Sequence, residues 1–119
     1  MTQSATVTDE PIAAIDRAHL TRMTFGDRSL EQEVLQLFDR QASLLIARMR
    51  NGDGATVGAL AHTLKGSAAG IGAGQVMLAA AEAERAAAGA PAEIGATIDR
   101  LAAAVDEARV LIGELLRRA

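Results

Sequence analysis

Between Ile94 and Leu115 the apolar residues Ile94, Ile98, Leu101, Val105, Ala108, Ile112 and Leu115 recur at steps of 4-3-4-3-4-3. Only a helix brings such positions onto one stripe, because a turn takes 3.6 residues. Gly89 suits the end of a preceding helix and Pro91 the first turn of a new one. The spacing therefore predicts a helix over 91–116, about 39 Å long at 1.5 Å per residue. A chain of 119 residues makes one domain, so a helix of that length runs the whole height of a bundle. Ala108 weakens the stripe as a dimer seam and the other helices need cover, which favours a bundle helix over a dimeric coiled coil. The residue usage agrees. Twenty-seven alanines and only two aromatic residues, Phe25 and Phe38, suit close-packed helices and exclude a mainly β fold.

The rest of the chain divides into further helices. Residues 1–8 are read as a disordered start and 9–119 as the folded domain. Asp9-Glu10-Pro11 opens a short first helix with Ile12, Ile15, Leu20 and Met23 on its apolar face, ending near Gly26. Asp27 or Ser29 caps a second helix that carries Leu30, Val34, Leu37, Phe38, Gln41 and Leu45 and runs to about Arg50. Asn51-Gly52-Asp53-Gly54 is a turn with Asp53 as the next cap, so Ala55 to Ile71 forms a third helix antiparallel to the second. Gly70, Gly72 and Gly74 then interrupt the chain, and Gln75 to Ala88 resumes with Val76, Ala79, Ala80, Ala83 and Ala87. The expected fold is all-α: an antiparallel, up-down four-helix bundle with a short extra N-terminal helix.

Several function classes are excluded by what the chain lacks. Without cysteine there is no disulfide, thiolate metal site or cysteine nucleophile, and a cytoplasmic location is the default. No apolar run approaches the roughly 20 residues that span a bilayer, and the N-terminus has no export signal, so no membrane partner is expected. A net charge of −3 argues against nucleic acid. Arg117 and Arg118 are read as favourable charges at a helix C-terminus. No Gly-Lys-Ser or Gly-Lys-Thr phosphate loop and no paired acidic cluster is present, so neither nucleotide nor metal is expected on this chain. His19 has no second ligand at helical spacing and is taken as filler.

The chemistry centres on His62. On a wheel of about 100° per residue, Val57, Leu60, Leu64, Ser67, Ala68 and Ile71 form the core face of the third helix, and His62 points the other way. Around His62 lie Ala55, Gly58, Ala59, Lys65, Gly66 and Ala69. Every neighbour but the lysine is alanine or glycine. Each helical glycine costs about 1 kcal/mol relative to alanine, and access is a physical reason for it: bare positions let another protein approach the ring. Lys65, one turn away, can offer an ammonium to an anion carried there. Solvated surface remains the plain alternative for a lone exposed histidine near a lysine.

The run Ala61-His62-Thr63-Leu64-Lys65-Gly66-Ser67-Ala68, followed by Gly72-Ala73, resembles the signature of histidine-containing phosphotransfer (HPt) domains. That resemblance covers nearly all of Ile12 to Ala119 and implies a short leading helix and a four-helix bundle. It implies that His62 is the phospho-accepting nucleophile, that Lys65 steadies the phosphoryl oxygens and that Gly66 gives room. Ser67 bonds within or between helices. Val76 and Glu84 match the family's following apolar and acidic places, where the acid holds the second ring nitrogen; Glu82 is the competing candidate if the helix phase differs. A solvent-facing imidazole, with a reference pKa of about 6.5, is mostly neutral at pH 7, the form that attacks.

The implied partners are response-regulator receiver domains and the receiver domain of a hybrid histidine kinase. The receiver brings the aspartate and Mg²⁺, and this chain binds no cofactor of its own. The expected role is a monomeric phosphorelay carrier, not a kinase. Docking is expected on Ala55, Gly58, Ala59, Gly66 and Ala69, with Ile12, Ile15 and Met23 from neighbouring elements. Two rivals stand beside it. One is a purely structural helical adaptor; the other is a dimeric histidine-kinase fragment, from whose pattern Thr63-Leu64-Lys65-Gly66 departs, and the length leaves no room for an ATP-binding domain.

Overall fold

The computed structural model describes residues 14–118. In chain order these are α1 (Arg17–Met23), α2 (Arg28–Arg50), α3 (Gly54–Ile71), α4 (Gly74–Gly89), a 3-10 turn (Pro91–Glu93) and α5 (Ile94–Arg117). The described residues contain no strand. Helix α2 packs against α3 and α5, α4 packs against the same two, and α1 lies on α3. The result is the expected four-helix bundle with a short leading helix.

Aspartates open the first three of these helices. Asp16, Asp27 and Asp53 have extended backbones and accept hydrogen bonds from the N–H groups of His19, Leu30 and Thr56, at 3.1, 3.1 and 2.9 Å. Each bond satisfies a donor that a helix start leaves unpaired. The Thr56 N–H foremost holds the Asp53 carboxyl below its usual range. Asp27, not Ser29, is thus the cap of α2. The first helix differs more from expectation. It starts after Asp16, because that residue is extended and its carboxylate takes the His19 N–H. Asp9, Glu10, Pro11 and Ile12 lie outside the described residues, as does the 1–8 segment.

The α3–α4 turn depends on Gly72, whose φ of +76° is the left-handed conformation that ends many helices. The Ala73 N–H reaches back to the Ala68 carbonyl at 2.8 Å, and the Gly72 carbonyl accepts from the Asp16 N–H at 2.9 Å. A Cβ on Gly72 would stand 3.0 Å from the Asp16 carbonyl oxygen and 3.2 Å from the His19 ring. That missing side chain lets the start of α1 seat on the turn beneath α3.

Ala42, Ala61, Ala68, Ala80, Ala83 and Ala108 are all fully buried. Small side chains at these positions let the helix axes approach closely, which accounts for the alanine content. Leucine and other large residues fill the space between, with Leu35, Phe38, Leu64, Val76, Leu101 and Ile112 each at most 2% exposed. Burying one such side chain contributes about 1.5–3 kcal/mol. Arg50–Asp99 and Arg109–Asp39, both α2–α5 pairs, join the surface at 2.9 and 2.7 Å.

Three details correct the sequence expectations. The core stripe of α2 is Leu35, Phe38, Ala42, Leu45 and Met49, while Leu37 is exposed and Leu30 lies at the margin. Both stripes have helical spacing, and α3 and α5 together select the one that faces the bundle centre. On α3, Ala61 is buried and Leu60 and Ser67 are only half-buried, a small rotation of the expected face toward α4. Finally, Pro91–Glu93 winds as a 3-10 turn, closed by the Glu93 N–H on the Ala90 carbonyl at 2.8 Å, so α5 begins at Ile94 rather than 91. Its stripe from Ile98 to Leu115 is buried as the repeat requires, with Ile94 half-buried at the end.

Candidate functional site

His62 stands near the middle of α3, its side chain 68% exposed. Core burial of Val57, Ala61, Leu64 and Ala68 fixes which way the helix faces, and that orientation turns His62 outward. Helix α4 rises beside it and brings Glu84 across the seam. One carboxylate oxygen of Glu84, Oε2, lies 2.9 Å from His62 Nδ1, and the other, Oε1, accepts from Lys65 Nζ at 2.7 Å. Glu82 faces away, toward Arg100 Nε of α5 at 3.4 Å. Of the two acids open to the sequence, Glu84 is the one at the imidazole.

The electrostatics follow from these contacts. The Lys65 ammonium foremost, and the His62 ring after it, hold the Glu84 carboxyl below its usual range, against the effect of partial desolvation. Glu84 is therefore ionised at neutral pH. An ionised carboxylate only accepts hydrogen bonds, so His62 Nδ1 carries the proton toward it. Nε2 points away from Glu84, and no described residue bonds to it. The arrangement presents an oriented imidazole whose second nitrogen is open to a partner, with an ammonium one helical turn away.

The small residues around the ring divide into two groups. Ala55, Ala59, Gly66 and Ala69 are exposed, and a Cβ on Gly66 would meet nothing within 4 Å. Gly58 is different: it is half-buried, and a Cβ there would sit 3.5 Å from the Ala87 Cβ. It lies at the seam with α4, on the edge of the exposed face. Together with Ala55, Ala59, Glu84 and Ala87 it floors a shallow groove beside His62. Ser67 is tied to α2 by a 3.0 Å bond from its hydroxyl to Gln41 Oε1.

Below the ring, toward α1, lies a second surface that the sequence indicated only in part. Leu20, Met23, Leu30, Val34, Leu37, Phe38 and Ile71 line an apolar groove of about 300 Å³, which Ser67 and Gly70 of α3 border. Met23 and Leu37 are more than half exposed on its rim, and Phe25, held at a φ of 56°, is 90% exposed in the turn that follows α1. Of the docking residues expected from α1, Met23 is on this surface. Ile15 is 1% exposed and belongs to the core, where it seats α1, and Ile12 is outside the described residues. Leu30, Val34 and Leu37, which the sequence put on the apolar face of α2, line this groove. His19 points its Nε2 into the protein, buried and without a partner.

Comparison with known proteins bears on what this surface does. Residues 28–111 match the family model of the Hpt domain, a match over most of the chain, and the chain belongs to that family. Its function is histidine phosphotransfer in a two-component phosphorelay. Hpt domains are phosphotransfer carriers that interact with receiver domains. Among solved structures, that of histidine-containing phosphotransfer protein B (HptB) from Pseudomonas aeruginosa PAO1 superposes with a TM-score of 0.83 at 18% identity, covering 92% of this chain and 99% of that one. At that identity the likeness is one of fold. No curated protein sequence matches the chain. No helix among the described residues is long and apolar enough to cross a membrane.

Proposed function

We propose that His62 is the phospho-accepting residue, that it takes the phosphoryl group from a receiver-domain aspartate, and that it passes the group to the aspartate of another receiver. The single observation that supports this most is the oriented imidazole: Nδ1 on Glu84, Nε2 free, on a face of alanine and glycine. In the transfer step Nε2 attacks phosphorus as the acyl-phosphate P–O bond breaks, and the aspartate leaves with the electron pair. The Nδ1 proton stays in place, and the positive charge that develops on the ring lies against the Glu84 carboxylate. Lys65 neutralises the phosphoryl oxygens. The remaining stabilisation comes with the receiver and its divalent ion, so this chain needs no nucleotide or metal site. It acts as a carrier and not as a kinase, as a cytoplasmic monomer.

The receiver docks over Ala55, Gly58, Ala59, Gly66 and Ala69 and extends onto the apolar groove below. Phe25 supports that extent. A left-handed phenylalanine costs about 1–2 kcal/mol and gains nothing from burial in the isolated chain, whereas a partner surface would cover it.

Incubation with a receiver phosphorylated on its aspartate, with Mg²⁺, tests the reading. Label that is stable in alkali and lost in acid is expected on this chain. A folded protein that takes no label from a panel of receivers would favour the helical adaptor.

A further inference from the structure

The Lys65–Glu84 pair bears on how the site works once His62 is the acceptor, and the inference rests on that reading. Lys65 is not free in the unloaded protein. Its ammonium is 2.7 Å from Glu84 Oε1 while the other oxygen of the same carboxylate holds His62 Nδ1. Both side chains are about one-third exposed, 34% for Lys65 and 33% for Glu84, so the pair is neither fully solvated nor locked in the core. One carboxylate therefore serves the nucleophile and restrains the cation that the product needs.

We infer that Glu84 is a positioning residue with two opposed effects, orienting His62 for attack while competing with the phosphoryl group for Lys65, so that it sets how far the phosphoryl group partitions onto this chain. When a phosphoryl group arrives on Nε2, its oxygens draw the Lys65 ammonium from Oε1. That exchange weakens one ion pair as it forms another. The cost makes phosphohistidine less stable than an unrestrained lysine would, and the group easier to hand on. A carrier that must both accept and release gains from such a balance, since a product held too firmly would end the relay.

Two variants separate these effects. Glu84→Gln keeps an oxygen to accept the Nδ1 proton and removes a charge that both restrains Lys65 and faces the cationic ring of phosphohistidine, two changes of opposite sign for the partition. Lys65→Ala removes the cation itself. The four proteins of this cycle (wild type, E84Q, K65A and the double variant) are equilibrated with one phosphorylated receiver and Mg²⁺, and the fraction of phosphoryl on each partner is measured. Circular dichroism checks folding, and loading with phosphoramidate, a small P–N donor, checks His62 independently of any receiver.

In the K65A background E84Q reports only the loss of the charge facing the ring and shifts the partition toward the receiver. With Lys65 present the same change also frees the ammonium, so the partition is expected to lie about two- to fivefold further toward His62 than that shift alone would place it, the size of a one-third-exposed ion pair. Equal shifts in both backgrounds, or a larger shift toward the receiver in the lysine background, would overturn the inference while leaving His62 as the acceptor. Failure of the wild-type protein to load on His62 from phosphoramidate and receiver alike would instead remove the acceptor reading and this inference with it.

Discussion

His62→Gln is expected to leave the bundle folded and to abolish phosphoryl acceptance. The side chain is 68% exposed and contributes no core contact, so stability should change by no more than about 0.5 kcal/mol, as for other surface substitutions. Transfer should fall to background because glutamine has no nucleophilic nitrogen and nothing replaces it. The other histidine, His19, keeps its Nε2 buried beside the α3–α4 turn and so offers no open Nε2 to a receiver's aspartyl phosphate. Thermal melting together with receiver-to-carrier labelling checks both halves. Residual label at the wild-type rate would move the acceptor to another residue, and a melted bundle would show that His62 is structural.

The second large effect carries opposite signs for folding and function. Gly66→Leu is expected to stabilise the protein by about 0.5–1 kcal/mol, since leucine is the better helix former and a Cβ there meets no atom within 4 Å. Receiver transfer should nonetheless fall about a hundredfold, because a branched side chain one turn from Nε2 holds the acyl phosphate away by more than an ångström. Loading by phosphoramidate, which needs no macromolecular approach, should be affected far less. A raised melting temperature with normal receiver transfer would refute the idea that Gly66 serves access. The same substitution at Gly58 is expected to behave otherwise, because its Cβ would already touch Ala87 at 3.5 Å and the rest of a leucine side chain would press on the seam with α4.

Much of this molecule was legible before its structure, and for physical reasons. Helix boundaries followed aspartate caps and glycine stops whose effect is local, so Asp27, Asp53 and Gly72 stand where their chemistry requires. The direction of His62 followed from periodicity on a helix whose core residues are large and whose outer residues are small. What periodicity did not decide was rotation about an axis when two stripes compete. On α2 the apolar stripes 30/34/37 and 35/38/42/45 both have helical spacing, and only contact with α3 and α5 makes the second the core. The acid at the imidazole posed the same problem. Glu82 and Glu84 are two residues apart, nearly 200° on a helix, so a shift in the phase of α4 would exchange their neighbours. The sequence placed Lys65 beside His62 but did not show it as the partner of Glu84, because an ion pair across a seam depends on the axial register of two helices. Gly58 and Gly66, alike in sequence, differ because only one of them faces α4.

The central claim is that the phosphoryl group is carried on Nε2 of His62 with the proton retained on Nδ1 against Glu84. Proton–nitrogen correlation spectra of the imidazoles, recorded on protein labelled with ¹⁵N-histidine before and after loading, test it most directly. The account predicts that only the His62 ring changes: before loading Nδ1 bears the proton and Nε2 does not, and after loading Nε2 shows coupling to phosphorus while the His19 signals stay in place. Phosphorus coupled to Nδ1 of His62, to either nitrogen of His19, or to no histidine nitrogen would contradict it.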